Sequence, residues 1–294
     1  MTTTATTADK LATRPAGESR LAAFAGELLK LPAFIRRDFL DALSYRLAFF
    51  SDWAALIAQT AAFYFVGLMV DPAKIPQFGG SRVTYLEFVS IGIIVGTVFG
   101  LGVARMTVAI RTEQMRGTLE YLLTTPTAIP TIQLGSVMYS LIYVPIRTAL
   151  FFTVIAVAFG LDFSAGGVLP SFVILAFFVP FVWGLGIFSA AATLTFKRGS
   201  GWIGLGTGVL TMLSGAYFPL DLLPAWVSSI AKLNPIAITI DGMRDALLGG
   251  TGWSGVGETL LVLTPLATIS LVLGILAFRA ALRRERRLGT LGLY

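Results

Sequence analysis

Few side chains in this sequence could do chemistry, and their placement is unusual. The 294 residues include no cysteine and no histidine. Zinc sites, thiol chemistry and any serine–histidine arrangement are thereby excluded. No carboxylate pair falls inside an apolar stretch, so acid–base catalysis has too few parts. No GxxxxGK[ST] motif and no acidic Walker B strand occur, so the chain cannot hold or hydrolyse ATP through that machinery. We therefore assign no catalytic residue, no metal ligand and no cofactor. What remains is one polar stretch, Arg111 to Pro126 (RTEQMRGTLEYLLTTP), and one isolated charge, Arg147.

Within the polar stretch Glu113, Arg116 and Glu120 fall at i, i+3 and i+7 and can form a charged ladder. Met115, Leu119, Leu122 and Leu123 make an apolar stripe, Gly117 precedes the second half, and Thr124-Thr125-Pro126 ends the helix. The chemistry on offer is recognition. A charged amphipathic helix between two hydrophobic spans either rests on the membrane interface or presents a handle to a soluble partner.

The surroundings of that stretch are those of an integral membrane protein. The chain is 55% hydrophobic and 13% charged, with mean hydropathy +0.80, whereas soluble domains carry about 25% charged residues. Apolar runs near membrane-crossing length lie at Phe49–Val70, Leu86–Ile110, Ile132–Phe159, Val168–Phe196, Trp202–Phe218 and Thr259–Phe278. The fold class expected is all-α, with six transmembrane helices in a domain over residues 48–280.

The 22 basic residues against 16 acidic ones are a topology signal, and no nucleic-acid partner is expected. Lys10, Arg14, Arg20, Lys30, Arg36, Arg37 and Arg46 precede the first span. Arg111 and Arg116, then Lys197 and Arg198, fall in even-numbered loops, and Arg279, Arg283, Arg284, Arg286 and Arg287 follow the last span. The other side receives Lys74, Arg82, Lys232 and Arg244. The positive-inside rule puts both termini in the cytoplasm, with some attraction for anionic membrane lipid.

Residues 1–20 read as a disordered Thr/Ala-rich tail without signal-peptide order, and residues 281–294 as a basic tail. Residues 21–47 read as an amphipathic interface helix interrupted at Pro32, with Phe34, Ile35, Phe39, Leu43 and Leu47 on one side.

Residues 219–257 break the pattern. Leu220–Leu233 and Ile236–Leu248 are too short to cross and are separated by Asn234-Pro235. A re-entrant helix pair between spans five and six accounts for them; two further true spans would keep the same topological parity.

Arg147, in YVPIRTALFF, sits mid-span, where a bare charge costs a few kcal/mol. With Tyr143 it either lines a translocation path or is paired inside the bundle. Asp52 and Arg105 lie near the cytoplasmic ends of spans one and two. The Gly-rich runs GIIVGTVFGLG and GWIGLGTGVL permit close helix packing, either within the bundle or, on span five, between two copies. Phe (22) outnumbers Tyr (8) and Trp (5); polarised Trp and Tyr faces suit sugar platforms, and a Phe-rich interior suits apolar or amphipathic cargo better.

Two segments carry a family resemblance. EQMRGTLEYLLTTP resembles the cytoplasmic coupling segment of ABC-2 type transporter permeases. SGAYFPLDLLPAWVSSIAKLNPIAITIDGMRDALLGG is similar to their C-terminal signature, with Phe218-Pro219, Leu223-Pro224, Asn234-Pro235 and Arg244 in the usual order. The likeness runs from about Leu31 onward. The apolar run after Asn234-Pro235 departs from the more polar one often found there.

The resemblance implies a coupling helix over residues 111–126, with Glu113, Met115, Arg116, Gly117, Leu119, Glu120 and Leu123 against an ABC ATPase subunit. It also implies a dimer of permease halves, and the Ala/Gly/Arg/Leu-rich usage fits a bacterial inner membrane. The function expected on that basis is ATP-driven export of a hydrophobic or amphipathic compound. A lipid-linked polysaccharide is the alternative cargo, and an ion-driven carrier the alternative machine.

Overall fold

The computed structural model describes residues 31–44, 46–80, 82–115, 143, 150, 153–154, 156–161, 163–196 and 200–288. The N-terminal tail, most of the expected third span, the coupling segment beyond Met115, and Arg147 lie outside the described residues.

The described residues form helices α1 (Leu31–Ser44), α2 (Arg46–Gly67), α3 (Tyr85–Met115), α4 (Ala165–Phe196), α5 (Ser200–Met212), α6 (Ala225–Ala231), α7 (Pro235–Leu247) and α8 (Val256–Leu288). Short 3-10 turns occupy Pro72–Lys74 and Leu220–Leu222. No strand occurs among the described residues.

Three helices, α3, α4 and α8, are long and apolar enough to cross a bilayer. With 32 residues, α4 extends about 48 Å at 1.5 Å per residue, well beyond a hydrocarbon core of about 30 Å. These helices form the centre of the fold. Lipid is as apolar as leucine, so close packing must hold them together. Phe99 of α3 and Phe178 of α4 are fully buried, with ring centroids 6.5 Å apart. Thr107 and Ser189 share a hydrogen bond of 2.8 Å between the same helices.

Along α8, by contrast, Leu261, Ile269, Leu273 and Leu276 are exposed, the apolar flank expected of a helix facing lipid or a second copy.

The helix pair α6–α7 folds back on the bundle. Ile236 and Ile240 of α7 are fully buried in the core shared by α3 and α4. α4 and α7 come close where Gly167 meets the Ala246 carbonyl, leaving no room for a Cβ.

One expectation needs correction. The fifth apolar run was expected to span Trp202–Phe218, but α5 stops at Met212. Its 13 residues extend about 20 Å, short of the hydrocarbon thickness. The chain then turns through Gly215 at φ 70°, a conformation that disfavours side-chain-bearing residues. Pro32 lies in the described part of the expected interface helix, and residues 21–30 before it lie outside the described residues.

Candidate functional site

The chemistry-bearing residues converge on the turn between α5 and α6 and on the helix pair that follows. The three Pro dipeptides each start a helical element. Pro219 precedes the 3-10 turn, Pro224 is the N-cap residue of α6, and Pro235 opens α7. Phe218 is half-buried beside them. A proline suits these positions because its fixed φ is already helical and it has no N–H to leave unpaired.

Asn234 serves both neighbouring helices. Its Oδ1 accepts from the Ile236 N–H at 3.1 Å, capping α7. Its Nδ2 donates to the carbonyls of Leu210 (2.7 Å) and Leu213 (3.2 Å) at the end of α5. The Leu210 carbonyl belongs to the last turn of α5, where carbonyls have no partner within the helix, and Leu213 lies just past it. One side chain thus satisfies the end of α5 and the start of α7.

Arg244, one turn from the end of α7, is 2% exposed and among the largest fully buried side chains. The sequence placed it with the outer-side charges of the topology count. The fold instead draws it inward, because three carbonyls converge on it. Its Nε and Nη2 donate to the Phe88 carbonyl at 3.2 and 2.9 Å. Nη2 also donates to the carbonyls of Gly215 (2.9 Å) and Ala216 (3.5 Å).

The guanidinium carbon lies 3.5 Å from the centroid of the Phe88 ring, a cation–π geometry that a desolvated Arg favours. The one carboxylate in reach is the exposed Asp241, at 3.5 Å from Nη1. Burial pushes the guanidinium pKa down to about 10, and Asp241 opposes that shift. The group therefore stays protonated at neutral pH.

Other residues close the same clasp. The Tyr85 hydroxyl donates to the Tyr217 carbonyl at 2.9 Å. Phe63 of α2 stacks on Tyr217 at 5.3 Å. Gly92 of α3 lies against the Ala216 backbone, where a Cβ would collide. Sequence reasoning missed Tyr85, Phe88 and Gly92. The bonds to Arg244 and Tyr85 end on backbone carbonyls, which carry no sequence signature, and Gly92 was visible only as part of a Gly-rich run.

The expected coupling residues are only partly within view. Glu113 and Met115 belong to the last turns of α3, while Arg116, Gly117, Leu119, Glu120 and Leu123 lie outside the described residues. Tyr143 is helical and half-buried, and its expected neighbour Arg147 is outside the described residues. The structure thus gathers the C-terminal signature into one clasp, and of the expected coupling residues Glu113 and Met115 lie at the other end of α3 from it.

In chemical terms the clasp is a joint, and most of the hydrogen bonds described in it end on backbone carbonyls. Asp241, Asp245 and Glu258 line an open cleft of about 320 Å³ between α7 and α8. Among the described residues, no group of acidic side chains is placed to hold a metal ion.

A family model described as ABC-2 type transporter matches residues 31–248. That interval takes in α1, the whole of α3 and the full Arg244 clasp. No curated protein matches the chain.

Proposed function

The chain belongs to the ABC-2 type transporter family, and from that membership we propose that it is the membrane-spanning permease subunit of an ATP-driven exporter. Its cargo would be a hydrophobic or amphipathic compound, and its site a bacterial cytoplasmic membrane with both chain termini inside. Family membership implies an ABC ATPase subunit as the source of energy, docked on residues 111–126.

The observation that carries this reading is the continuity of α3. It runs unbroken for 31 residues, about 46 Å, from the clasp residues Tyr85 and Phe88 at its start to Glu113 and Met115 at its end. A push at its cytoplasmic end therefore reaches the α5–α6 turn through one rigid element. The Phe-rich core supports an apolar rather than a sugar-like cargo.

The test is affinity purification of the intact complex from native membranes, with ATP hydrolysis assayed on what co-purifies. A stoichiometric P-loop ATPase is expected. The double charge reversal Glu113→Lys with Glu120→Lys should leave the permease in the membrane and lower transport about tenfold, as loss of some 1.4 kcal/mol of docking energy would. Transport at the unchanged rate in that variant would rule out the coupling assignment.

Pairing of two copies through α5 is supported by its open side. Ile203 and Leu210 pack on the core, but Trp202, Leu205, Val209 and Met212 are exposed. A Cβ added at Gly201, Gly204, Gly206 or Gly208 would meet nothing within 4 Å. Gly204 and Gly208 have the small-xxx-small spacing that lets helices approach closely. Gly204→Ile with Gly208→Ile should therefore leave the protomer folded and abolish the dimer, as read by chemical crosslinking in membranes. A dimer that survives both bulky side chains would move the seam to another helix.

A further inference from the structure

A cavity of about 310 Å³ lies where α4 and α7 meet the helical residues that precede α4. Its walls include Val157, Val168, Phe172, Leu175, Met243 and Leu247, so the lining is apolar almost throughout. Thr153 and Ser171 are the exceptions, and Ser171 is the buried one. Its side chain is 3% exposed and lines the cavity, and its Oγ has no hydrogen-bond partner.

Many threonine hydroxyls in the described helices are satisfied locally. Thr193, Thr207, Thr264 and Thr268 each donate to the carbonyl four residues back, the usual refuge of a Ser or Thr in an apolar helix. Ser171 does not use that refuge. Among the described residues its Oγ is the one buried side-chain polar atom without a partner.

Water is a poor occupant for such a space, because it needs two to four polar partners and apolar cavities stay dry. An apolar chain bearing a single acceptor meets both requirements at once. The volume falls at the small end of the roughly 300–1,000 Å³ typical of ligand pockets. The surface beside the cavity is itself apolar, with Val157 80% and Val168 44% exposed, so an occupant can arrive from the bilayer without crossing a polar rim.

We propose that this cavity binds a single acyl chain, with the Ser171 hydroxyl donating to the carbonyl of its ester or amide. Membrane lipid and an acylated cargo present the same chemistry there. The proposal rests on the chain being a membrane protein and does not depend on the direction of transport.

The experiment uses the purified permease complex in nanodiscs. One probe is a phosphatidylethanolamine carrying a photoreactive diazirine in its acyl chain; the second is a single-chain lauroyl ester carrying the same group. Labelled peptides are mapped by mass spectrometry. Either probe should label the peptide spanning residues 163–175. Leu175→Trp, which fills the cavity, should remove that label. Ser171→Ala should weaken it roughly fivefold, the effect of one lost hydrogen bond, and Ser171→Thr should restore it.

Labelling by the lipid that is indifferent to ATP identifies a resident lipid. Labelling by the ester that falls during ATP turnover identifies cargo. Label that persists undiminished in a well-folded Leu175→Trp variant, or absence of label from both probes, overturns the proposal. Should Leu175→Trp fail to accumulate, thermal stability in delipidated detergent decides. A lipid-binding cavity makes Ser171→Ala stabilising there and destabilising once lipid is returned, whereas a cavity that stays empty makes Ser171→Ala equally stabilising in both.

Discussion

Replacing Arg244 with methionine is expected to lower the melting temperature of the purified permease by roughly 10 °C and to cut its accumulation in the membrane. Methionine fills similar space but donates nothing, so the carbonyls of Phe88, Gly215 and Ala216 lose the partner they share. A hydrogen bond from a charged donor contributes about 1.5–3 kcal/mol, and a buried acceptor left unpaired costs the desolvation of that group. Breaking a buried charged network in this way costs about 3–5 kcal/mol. At about 2–4 °C per kcal/mol for a chain of this size class, that gives the shift stated.

Two companion variants decide whether the carbonyl cage is the cause. Arg244→Lys keeps the charge but loses the planar fork that reaches Phe88 and Gly215 together, and should fall between wild type and Arg244→Met. Asp241→Asn should be almost silent, because Asp241 is exposed and 3.5 Å away, and such ion pairs contribute about 0–1 kcal/mol. Were Asp241→Asn as damaging as Arg244→Met, the ion pair and not the cage would hold the joint. Differential scanning fluorimetry on the detergent-purified complex supplies all three values.

Arg244 also shows where the sequence stops being informative. Its presence in the signature was legible, and Asn234-Pro235 could be read as the start of a helix from local chemistry alone. Its burial could not be read, because the groups that receive it are carbonyls at positions 88, 215 and 216, far away in sequence and unmarked by any side chain. The same holds for the end of α5. Leu210 to Phe218 reads as one apolar run, and hydropathy continues straight through it. The stop at Met212 comes from Gly215 adopting φ 70° and from Asn234 capping the exposed carbonyls of Leu210 and Leu213, both tertiary events.

The long spans behaved differently. Leu86–Ile110, Val168–Phe196 and Thr259–Phe278 fall inside α3, α4 and α8, because twenty apolar residues leave the backbone little choice in lipid but a helix.

The glycines of α4 and α8 set the second large effect. Gly184 lies against the backbone of Ser270 and Leu271, and Gly274 against the Gly184 carbonyl, so a Cβ at either position would collide with main chain. Main chain cannot rotate aside as a side-chain tip can. At the same crossing the Ser270 hydroxyl donates to the Phe181 carbonyl at 3.0 Å, a bond that forms only at this separation.

Gly184→Ala is therefore expected to lower the melting temperature by about 2–12 °C, from an overpacking cost of about 1–3 kcal/mol. Gly184→Leu and Gly274→Leu should prevent accumulation altogether. Gly100→Ala is the control, since a Cβ there meets nothing within 4 Å. It should be neutral or slightly stabilising, because alanine restrains the unfolded chain. Size-exclusion profiles of fluorescently tagged variants, heated before injection, separate these cases in one experiment. A Gly184→Leu variant with the wild-type profile would mean that α4 and α8 do not cross at this point. If the variants behave as stated, α4 and α8 are locked backbone to backbone and move as one body. Any conformational change driven from the Met115 end of α3 must then be absorbed at the hydrogen-bonded Arg244 clasp, where partners can be exchanged, and not at the α4–α8 seam.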